Sequence, residues 1–194
     1  MNKIGQLFII AAPSGAGKTS ITMAVIEKLK NTVLPIEKVI TCTTRPIRPG
    51  EVDGVDYHFF SQEEFLRKKN MGFFIETTKY NENYYGSPAS IFTEMKNGKS
   101  FILVADMAGA KNFKSNIKPD AVSIWISVPD AQELRRRLEK RGDSKEGIEK
   151  RVTLAQEEMA QEAREKMFDY HVLNNNFDTA VHDVIEIIKQ KTAK

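Results

Sequence analysis

The stretch that decides the fold is Leu7-Phe-Ile-Ile-Ala-Ala12, followed by Pro13-Ser-Gly-Ala-Gly-Lys-Thr19. The first part is a short, continuous apolar run, which is typical of a strand buried on both faces of a parallel sheet. The second part is a glycine-containing turn, and a helical pattern follows it from Lys18 to about residue 30. A turn of this kind points its backbone N–H groups inward at a helix N-terminus, where they can bind phosphate oxygens. The stretch therefore predicts a phosphate-binding loop.

This loop has the spacing of a Walker A motif, with Ala12 where the first glycine usually stands. We expect Lys18 to bind the β- and γ-phosphates of a nucleoside triphosphate and the Thr19 hydroxyl to bind Mg²⁺. The alternative is a turn that merely joins a strand to a helix, and a Lys-Thr pair at this offset argues against it. Asp106 ends another apolar run and is expected to bind Mg²⁺ through water. Capping of the next helix is the alternative role for Asp106.

Strand and helix patterns alternate along the rest of the chain around two inserts. Buried strands are predicted at residues 100–106, 121–128 and 170–173, with a helix after each, the last at about residues 178–189. This order predicts an α/β fold, a P-loop core whose parallel sheet is flanked by helices, with a small mixed insert and a helical lid. The predicted bounds are 1–34, 98–136 and 152–194 for the core, 35–97 for the insert and 137–151 for the lid.

Composition argues against several classes of protein. The 194 residues carry 29 basic and 26 acidic side chains, and a formal net charge of +3 is too small to indicate binding to nucleic acid or an anionic membrane. The single cysteine, Cys42, excludes an intramolecular disulfide and a multi-cysteine zinc site. No apolar run approaches the ~20 residues that a membrane span needs. We therefore expect a cytoplasmic protein with small-molecule partners, and monomer and homo-oligomer both stay open.

The insert begins with a cationic loop, Thr41-Cys-Thr-Thr-Arg45-Pro-Ile-Arg48-Pro-Gly. Planar guanidinium groups suit bidentate binding of phosphate. Tyr57 and the later run Tyr84-Tyr85-Gly-Ser87 add hydroxyl groups and an aromatic surface. Taken singly, such tyrosines are more often packing residues and such arginines more often solvated. Their order along the chain is what carries information.

Several separated motifs together resemble those of guanylate kinases, from the phosphate-binding loop to the end of the chain. They are TTRxxRxGExxGxDYxF at residues 43–59, Phe74-Ile-Glu76, Asn83-Tyr-Tyr-Gly-Ser87, Arg137-Leu-Glu-Lys-Arg-Gly142, Arg151 with Ala155-Gln-Glu-Glu158, and Asp169-Tyr-His-Val-Leu-Asn174. The resemblance implies a kinase that moves the γ-phosphate of ATP to GMP and dGMP, with Mg²⁺ as cofactor. It implies that the insert binds GMP.

The resemblance also implies a role for each matching residue. The GMP phosphate would be bound by Arg45, Arg48, Tyr57 and Tyr85, and the base by Thr41, Glu76 and Ser87. ATP would be bound by Ala12, Pro13, Ser14, Gly15, Ala16, Gly17, Lys18, Thr19 and Ser20, with Asn174 near the adenine. The catalytic set would be Lys18, Arg45 and the lid arginines Arg137, Arg141 and Arg151, which close over the triphosphate. The metal would be held by Thr19 and Asp106.

Glu76 suits a guanine-reading role on chemical grounds. Guanine presents its N1–H and its exocyclic amine side by side, so one ionised carboxylate can accept both hydrogen bonds. Adenine presents an acceptor at N1, which would face the carboxylate unpaired, and a site built on buried hydrogen bonds rejects such a mismatch strongly. Without its neighbours in the motif, Glu76 would be interpreted as a solvated strand residue.

The chain departs from the guanylate kinase pattern beside Asp106. Guanylate kinases usually carry two acids separated by one residue there, then a glutamine before glycine. Asp106 keeps the second acid, whereas Val104 replaces the first and Ala108 replaces the glutamine. Because both positions fall where the reacting phosphates and the acceptor meet, we expect an effect on rate or acceptor preference unless another residue offsets it.

Two alternatives to a GMP kinase differ in the residues that they require. A kinase of the same fold acting on another phosphorylated acceptor, such as a ribose phosphate, would need the phosphate-binding arginines but not Glu76 and Thr41. A non-catalytic guanylate-kinase-like binding module would have little need for Lys18, Thr19 and the lid arginines. The sequence retains both sets, and this favours the enzyme acting on GMP.

Overall fold

The structure, a computed structural model, describes residues 4–80, 82–118, 120–140, 142 and 144–192. The chain forms two compact units. The insert unit comprises Val39–Phe101 together with Ile4 and Gly5, and the core unit comprises Gln6–Lys38 and the described residues from Ile102 onward. The domain bounds from the sequence, including the lid at 137–151, stay predictions.

Strands and helices alternate along most of the core unit, and the insert unit combines short strands with short helices. The strands are β1 (Leu7–Ala11), β2 (Ile36–Lys38), β3 (Cys42–Thr43), β4 (His58–Phe59), β5 (Phe74–Tyr80), β6 (Asn83–Pro88), β7 (Ser100–Ala105), β8 (Val122–Ser127) and β9 (Tyr170–Leu173). The helices are α1 (Lys18–Leu29), α2 (Gln62–Asn70), α3 (Ser90–Lys96), α4 (Met107–Asn112), α5 (Ala131–Lys140), α6 (Lys145–Glu165) and α7 (Phe177–Thr192), and a π-helical turn, Phe113–Ile117, continues α4. Across the described residues, none of these helices has the length and apolarity needed to cross a membrane.

The core sheet has the strand order β2-β7-β1-β8-β9. β1 pairs in parallel with β8, and β8 pairs in parallel with β9. Every residue of β1 is buried, as the apolar run predicts for a strand with helices on both faces of its sheet. The predicted α/β fold with a parallel sheet flanked by helices is therefore confirmed. The phosphate-binding loop follows the carboxyl end of this central strand, where open parallel sheets bind their ligands.

The insert sheet is mixed, with the order β4-β3-β6-β5. β3 pairs in parallel with β4, while β6 is antiparallel to both β3 and β5. Phe65 of α2 is fully buried and stacks on Phe74 and Tyr84, with ring centroids 4.4 and 5.6 Å away. The sequence Ser61-Gln-Glu-Glu64 has the capping-box pattern, which predicts the start of a helix, and Ser61 does cap α2 by accepting a 3.1 Å hydrogen bond from the Glu64 N–H.

Some element bounds differ from those expected. The sequence pattern predicts strands at residues 39–43, 56–60 and 73–80 of the insert; β3 and β4 are shorter than the first two, and β6 is a strand that the pattern does not predict. Pro129 is a favoured first-turn residue and predicts a helix that begins there. Helix α5 begins instead at Ala131, because the Asp130 carboxylate accepts a 2.8 Å hydrogen bond from the Glu133 N–H and so acts as the cap.

Candidate active site

The phosphate-binding loop of the core unit is closed by its own backbone. The Ala16 N–H donates to the Pro13 carbonyl at 3.1 Å, and the Lys18 ammonium donates to the Ala12 carbonyl at 3.3 Å. Gly15 and Gly17 have φ angles of +88° and +91°, which turn the chain from β1 into α1. The residues predicted to bind ATP phosphates, from Ala12 to Ser20, thus form one continuous loop and the first turn of a helix.

The N-terminus of α1 is open to an anion. Gly17 is its N-cap, and among the described residues no side chain caps it and no acidic residue stands in its first turn. Orphan N–H groups and the helix dipole both favour a bound phosphate there. The side chains of Thr19 and Ser20 are exposed, so their hydroxyls are accessible to a nucleotide and its metal ion.

Asp106 stands at the carboxyl end of β7, the neighbour of β1 in the core sheet. Its Oδ1 accepts a 2.6 Å hydrogen bond from the Gly109 N–H, so it does cap α4, the alternative role expected from the sequence. A cap uses one carboxylate oxygen, and the other can still accept a hydrogen bond from Mg²⁺-bound water. The exposed oxygen donors of Asp106 and Thr19 fit a hard cation such as Mg²⁺. Metal binding by these two residues stays a prediction.

Glu158 is an ionisable residue close to Lys18 and Asp106, and the sequence motifs gave it no role. Glu158 of α6 is half-buried, and its burial raises the pKa of the carboxyl, while the charge of Lys18 lowers it and that of Asp106 raises it. Within the part of the chain that the structure describes, no cluster of three or more His, Cys, Asp or Glu could hold a metal ion.

Arg137 lies against the phosphate-binding loop. Its Nη2 donates to the Asn174 carbonyl at 2.8 Å, its Nη1 is 3.5 Å from the Ala16 carbonyl, and its Nε donates to Glu133 Oε1 at 2.7 Å. Because Arg135, Arg136 and Lys140 lie beside Arg137 in the sequence, an ordinary charged helix surface is the alternative interpretation of this arginine. In the structure Arg137 instead contacts the phosphate-binding loop, and only 22% of its side chain is exposed.

Asn174 is held against the same loop. Its Nδ2 donates to the Ala16 carbonyl at 2.8 Å, and its own N–H donates to the Ser127 carbonyl at 2.8 Å. Only 3% of Asn174 is exposed, and a Cβ added at Gly17 would lie 2.7 Å from its Nδ2. Asn174 therefore braces the loop, and its contact with adenine stays a prediction.

Arg151 of α6 also reaches the loop, where its Nη1 donates to Ser14 Oγ at 2.7 Å. Two of the three predicted lid arginines, Arg137 and Arg151, thus lie beside the phosphate-binding loop. The third, Arg141, lies outside the described residues.

In the insert unit, Arg45 is surrounded by the residues predicted to share the GMP phosphate with it. Its guanidinium lies 5.5 Å from the Tyr57 ring centroid, and the Tyr57 and Tyr85 rings meet edge to face at 6.3 Å. Burial raises the pKa of Tyr57, so its hydroxyl stays protonated and able to donate to a phosphate. The Arg45 guanidinium and the hydroxyls of Tyr57 and Tyr85 are together suited to bind a phosphate.

Glu51 organises this site, and the sequence reasoning gave it no role. Its Oε1 accepts from Arg45 Nη2 at 2.7 Å, and its Oε2 accepts from the Arg48 N–H at 2.9 Å. The hydrogen bond from Arg45 lowers the pKa of Glu51, and the same bond raises that of Arg45. The Arg48 side chain is exposed, so its guanidinium is left in solvent while its backbone is fixed.

The residues predicted to read the base lie on neighbouring strands. Glu76 of β5 and Ser87 of β6 are register partners, and Ser87 Oγ donates to Glu76 Oε1 at 2.9 Å. Ser87 is 1% exposed, so it fixes the carboxylate from the buried side. Thr41 precedes β3, where its carbonyl accepts from the His58 N–H at 2.8 Å.

The two departures from the expected pattern differ in their surroundings. Val104 packs partly buried against the hydrophobic core, whereas Ala108 is exposed on the first turn of α4. Val104 has therefore become a packing residue at a position where an acid was expected.

Comparison with known proteins finds similarity to guanylate kinases along nearly the whole chain. The family model described as guanylate kinase matches residues 4–191. The chain is 42% identical to the guanylate kinase of Coxiella burnetii over 97% of this chain and 88% of that protein, and 38% identical to that of Rubrobacter xylanophilus over 97% and 96%. The crystal structure of guanylate kinase from Anaplasma phagocytophilum superimposes with a TM-score of 0.78 at 29% identity, covering 100% of this chain and 89% of that one.

Proposed function

The chain belongs to the guanylate kinase family, and from that premise we propose that it transfers the γ-phosphate of ATP to GMP and dGMP, giving ADP and GDP or dGDP. The observation that carries the choice of acceptor is the Glu76–Ser87 pair, a carboxylate held at 2.9 Å by a buried hydroxyl. The observation that carries the choice of ATP as donor is the phosphate-binding loop, which leads into a helix that no described side chain caps. A kinase whose acceptor has no base to recognise would not need the Glu76–Ser87 pair.

Phosphoryl transfer needs positioned charge more than a nucleophilic side chain. Lys18 and the first turn of α1 bind the β- and γ-phosphates of ATP in this proposal, and Arg137 and Arg151 add positive charge beside the loop. Arg45, Tyr57 and Tyr85 bind the phosphate of GMP. Each group acts by orienting a phosphate and by neutralising charge that builds up during transfer.

Mg²⁺ bound to ATP would supply further neutralisation of charge on the β- and γ-phosphates. Thr19 would contribute its hydroxyl to the ion, and Asp106 would bind one of the waters of its hydration shell. The exposure of both side chains supports these assignments.

Acceptor selectivity rests on one carboxylate in this proposal. Glu76 accepts from guanine N1–H and from the exocyclic amine, while Ser87 keeps it oriented. Thr41 adds a hydroxyl. Adenine lacks the donors that satisfy the carboxylate, so AMP would leave it desolvated and unpaired. Since ATP and GMP are cytoplasmic metabolites, we place the protein in the cytoplasm, with these nucleotides as its partners.

A coupled assay of ADP release tests this function with ATP and Mg²⁺ against GMP, dGMP, AMP, CMP, UMP and ribose 5-phosphate. We expect turnover with GMP and dGMP, a loss of about a hundredfold or more in Lys18→Ala, and loss of GMP selectivity in Glu76→Gln. The matched controls are Lys28→Ala, on the last turn of the same helix, and Glu63→Gln, at an exposed position of α2.

Absence of GMP turnover by folded protein that binds ATP would contradict the proposal. Turnover with ribose 5-phosphate in place of GMP would favour the same-fold kinase with another acceptor. Val104→Asp and Ala108→Gln in the same assay measure what the two departures from the family pattern do to rate and acceptor preference.

A further inference from the structure

Three consecutive arginines on α5 have three different environments. Arg135 pairs with Glu149 of α6, with Nη2 2.8 Å from Oε2. Arg136 is 66% exposed at its side chain and pairs with Glu133. Arg137 alone lies against the phosphate-binding loop, so the function proposed above depends on Arg137 and not on its two neighbours.

The guanidinium of Arg137 is held from two sides. Glu133, one helical turn earlier, accepts from Nε at 2.7 Å, and the carbonyl of Asn174 accepts from Nη2 at 2.8 Å. These two contacts fix the plane of the guanidinium. The remaining nitrogen, Nη1, faces the loop at 3.5 Å from the Ala16 carbonyl, a long contact that a phosphate oxygen can replace.

Glu133 is suited to hold this orientation. Its side chain is 22% exposed, and its two oxygens accept from Arg136 Nε and Nη2, each at 2.8 Å, as well as from Arg137. The hydrogen bonds from Arg136 and then Arg137 lower the pKa of Glu133 to about 2, so the carboxylate is charged throughout the physiological range. The exposed Arg136 thereby neutralises part of the charge that Glu133 would otherwise direct at Arg137.

We propose that Glu133 is a positioning residue for phosphoryl transfer, which orients the Arg137 guanidinium so that Nη1 points at the ATP phosphates. The inference rests on the proposed function, because it needs Arg137 to contact the triphosphate. It adds a residue that the motif comparison did not single out. Glu133 itself touches no substrate and acts through Arg137.

A double-mutant cycle tests the inference on the full-length protein. We expect Arg137→Ala to lower kcat about a hundredfold and Glu133→Gln to lower it about tenfold, with KM for GMP changed less than about twofold. In the Arg137→Ala background, Glu133→Gln should change kcat less than about twofold, because the group that it positions is gone. Two controls, Arg135→Ala and Glu149→Gln, remove an ion pair that does not involve Glu133 or Arg137 and should keep kcat within about twofold of wild type.

Three outcomes would overturn the inference. One is wild-type kcat in Glu133→Gln; another is an equal loss from Glu133→Gln with and without Arg137, which would indicate a merely structural role. The third is wild-type kcat together with wild-type affinity for an ATP analogue in Arg137→Ala while GMP remains the acceptor, which would leave the proposed function standing.

The same double-mutant cycle can be measured as the Kd of a non-hydrolysable ATP analogue with Mg²⁺. This measurement does not depend on which acceptor the protein uses. A rise in Kd in each single variant and no further rise in the double variant supports the inference even when GMP is not turned over. An unchanged Kd in Arg137→Ala, together with an unchanged kcat, overturns it.

Discussion

Replacing Gly17 by alanine should damage the phosphate-binding loop in two separable ways. The residue has φ of +91°, a backbone conformation that side chains with a Cβ rarely adopt. The new Cβ would also lie 2.7 Å from Asn174 Nδ2, closer than two such atoms can approach. Asn174 would have to move, and its 2.8 Å hydrogen bond to the Ala16 carbonyl would break.

The size of each effect follows from its cause. A left-handed backbone costs an alanine about 1–2 kcal/mol. Loss of a buried hydrogen bond that leaves its partners unsatisfied costs about 1–3 kcal/mol more. Gly72→Ala separates the two, since Gly72 has φ of +72° and nothing within 4 Å of its added Cβ. We expect Gly17→Ala to reduce the free energy of unfolding by about 2–5 kcal/mol and Gly72→Ala by about 1–2 kcal/mol.

Urea unfolding of both variants, followed by circular dichroism, measures the difference between these free energies. Calorimetric titration with a non-hydrolysable ATP analogue and Mg²⁺ measures the effect on the loop, and we expect weaker binding only in Gly17→Ala. The reasoning is refuted if Gly17→Ala loses no more stability than Gly72→Ala and binds the analogue as tightly as the wild type.

Three further predictions concern single side chains. Ser87→Ala should raise KM for GMP about tenfold and leave KM for ATP unchanged, because the hydroxyl orients Glu76; equal changes in both constants would contradict this. Burial raises the pKa of Cys42 to about 12, so at pH 8 a thiol reagent should modify it only after unfolding in urea; labelling of the native protein would refute this. Glu133 has its pKa lowered from 4.5 to about 2, chiefly by Arg136 and then Arg137, so it stabilises the fold above pH 4.5 and loses this effect as the pH falls towards 2. The Tm difference between wild type and Glu133→Gln should narrow over that range, and a constant difference would count against it.

Local sequence patterns were sufficient to locate four of the strands of the core sheet and the turn that follows β1, whereas β2 of the same sheet was not predicted. The apolar run before Pro13 and the Lys18-Thr19 pair after the glycines each constrain geometry within a few residues, and in the structure the run forms β1 while the pair begins α1. The mixed insert sheet was expected, but β6 was missed because Gly86 and Pro88 are typical of turns. Gly86 is required there for packing, since a Cβ would lie 2.8 Å from Phe74 Cδ1.

Long-range contacts were beyond what the sequence patterns could predict. The Ala16 carbonyl accepts a hydrogen bond from the side-chain amide of Asn174, and the two residues are far apart along the chain. No local pattern indicates such a pairing. Glu133 did carry a local signal, because an acid four residues before an arginine shares its helix face. That signal did not show that Arg137, and not Arg135 or Arg136, is the arginine that lies against the loop.

The central position of β1 has a consequence for synthesis of the chain. β1 (Leu7–Ala11) is made long before its two neighbours in the sheet, because β7 begins only at Ser100 and β8 only at Val122. At about 5–20 residues per second, β1 waits roughly 5–20 s before the first of these neighbours is made. All five of its residues are apolar and end up buried, and an unpaired strand of this kind readily pairs with other chains. Slow, long-range closure of the core sheet therefore makes the nascent chain a natural client for chaperones that shield apolar segments.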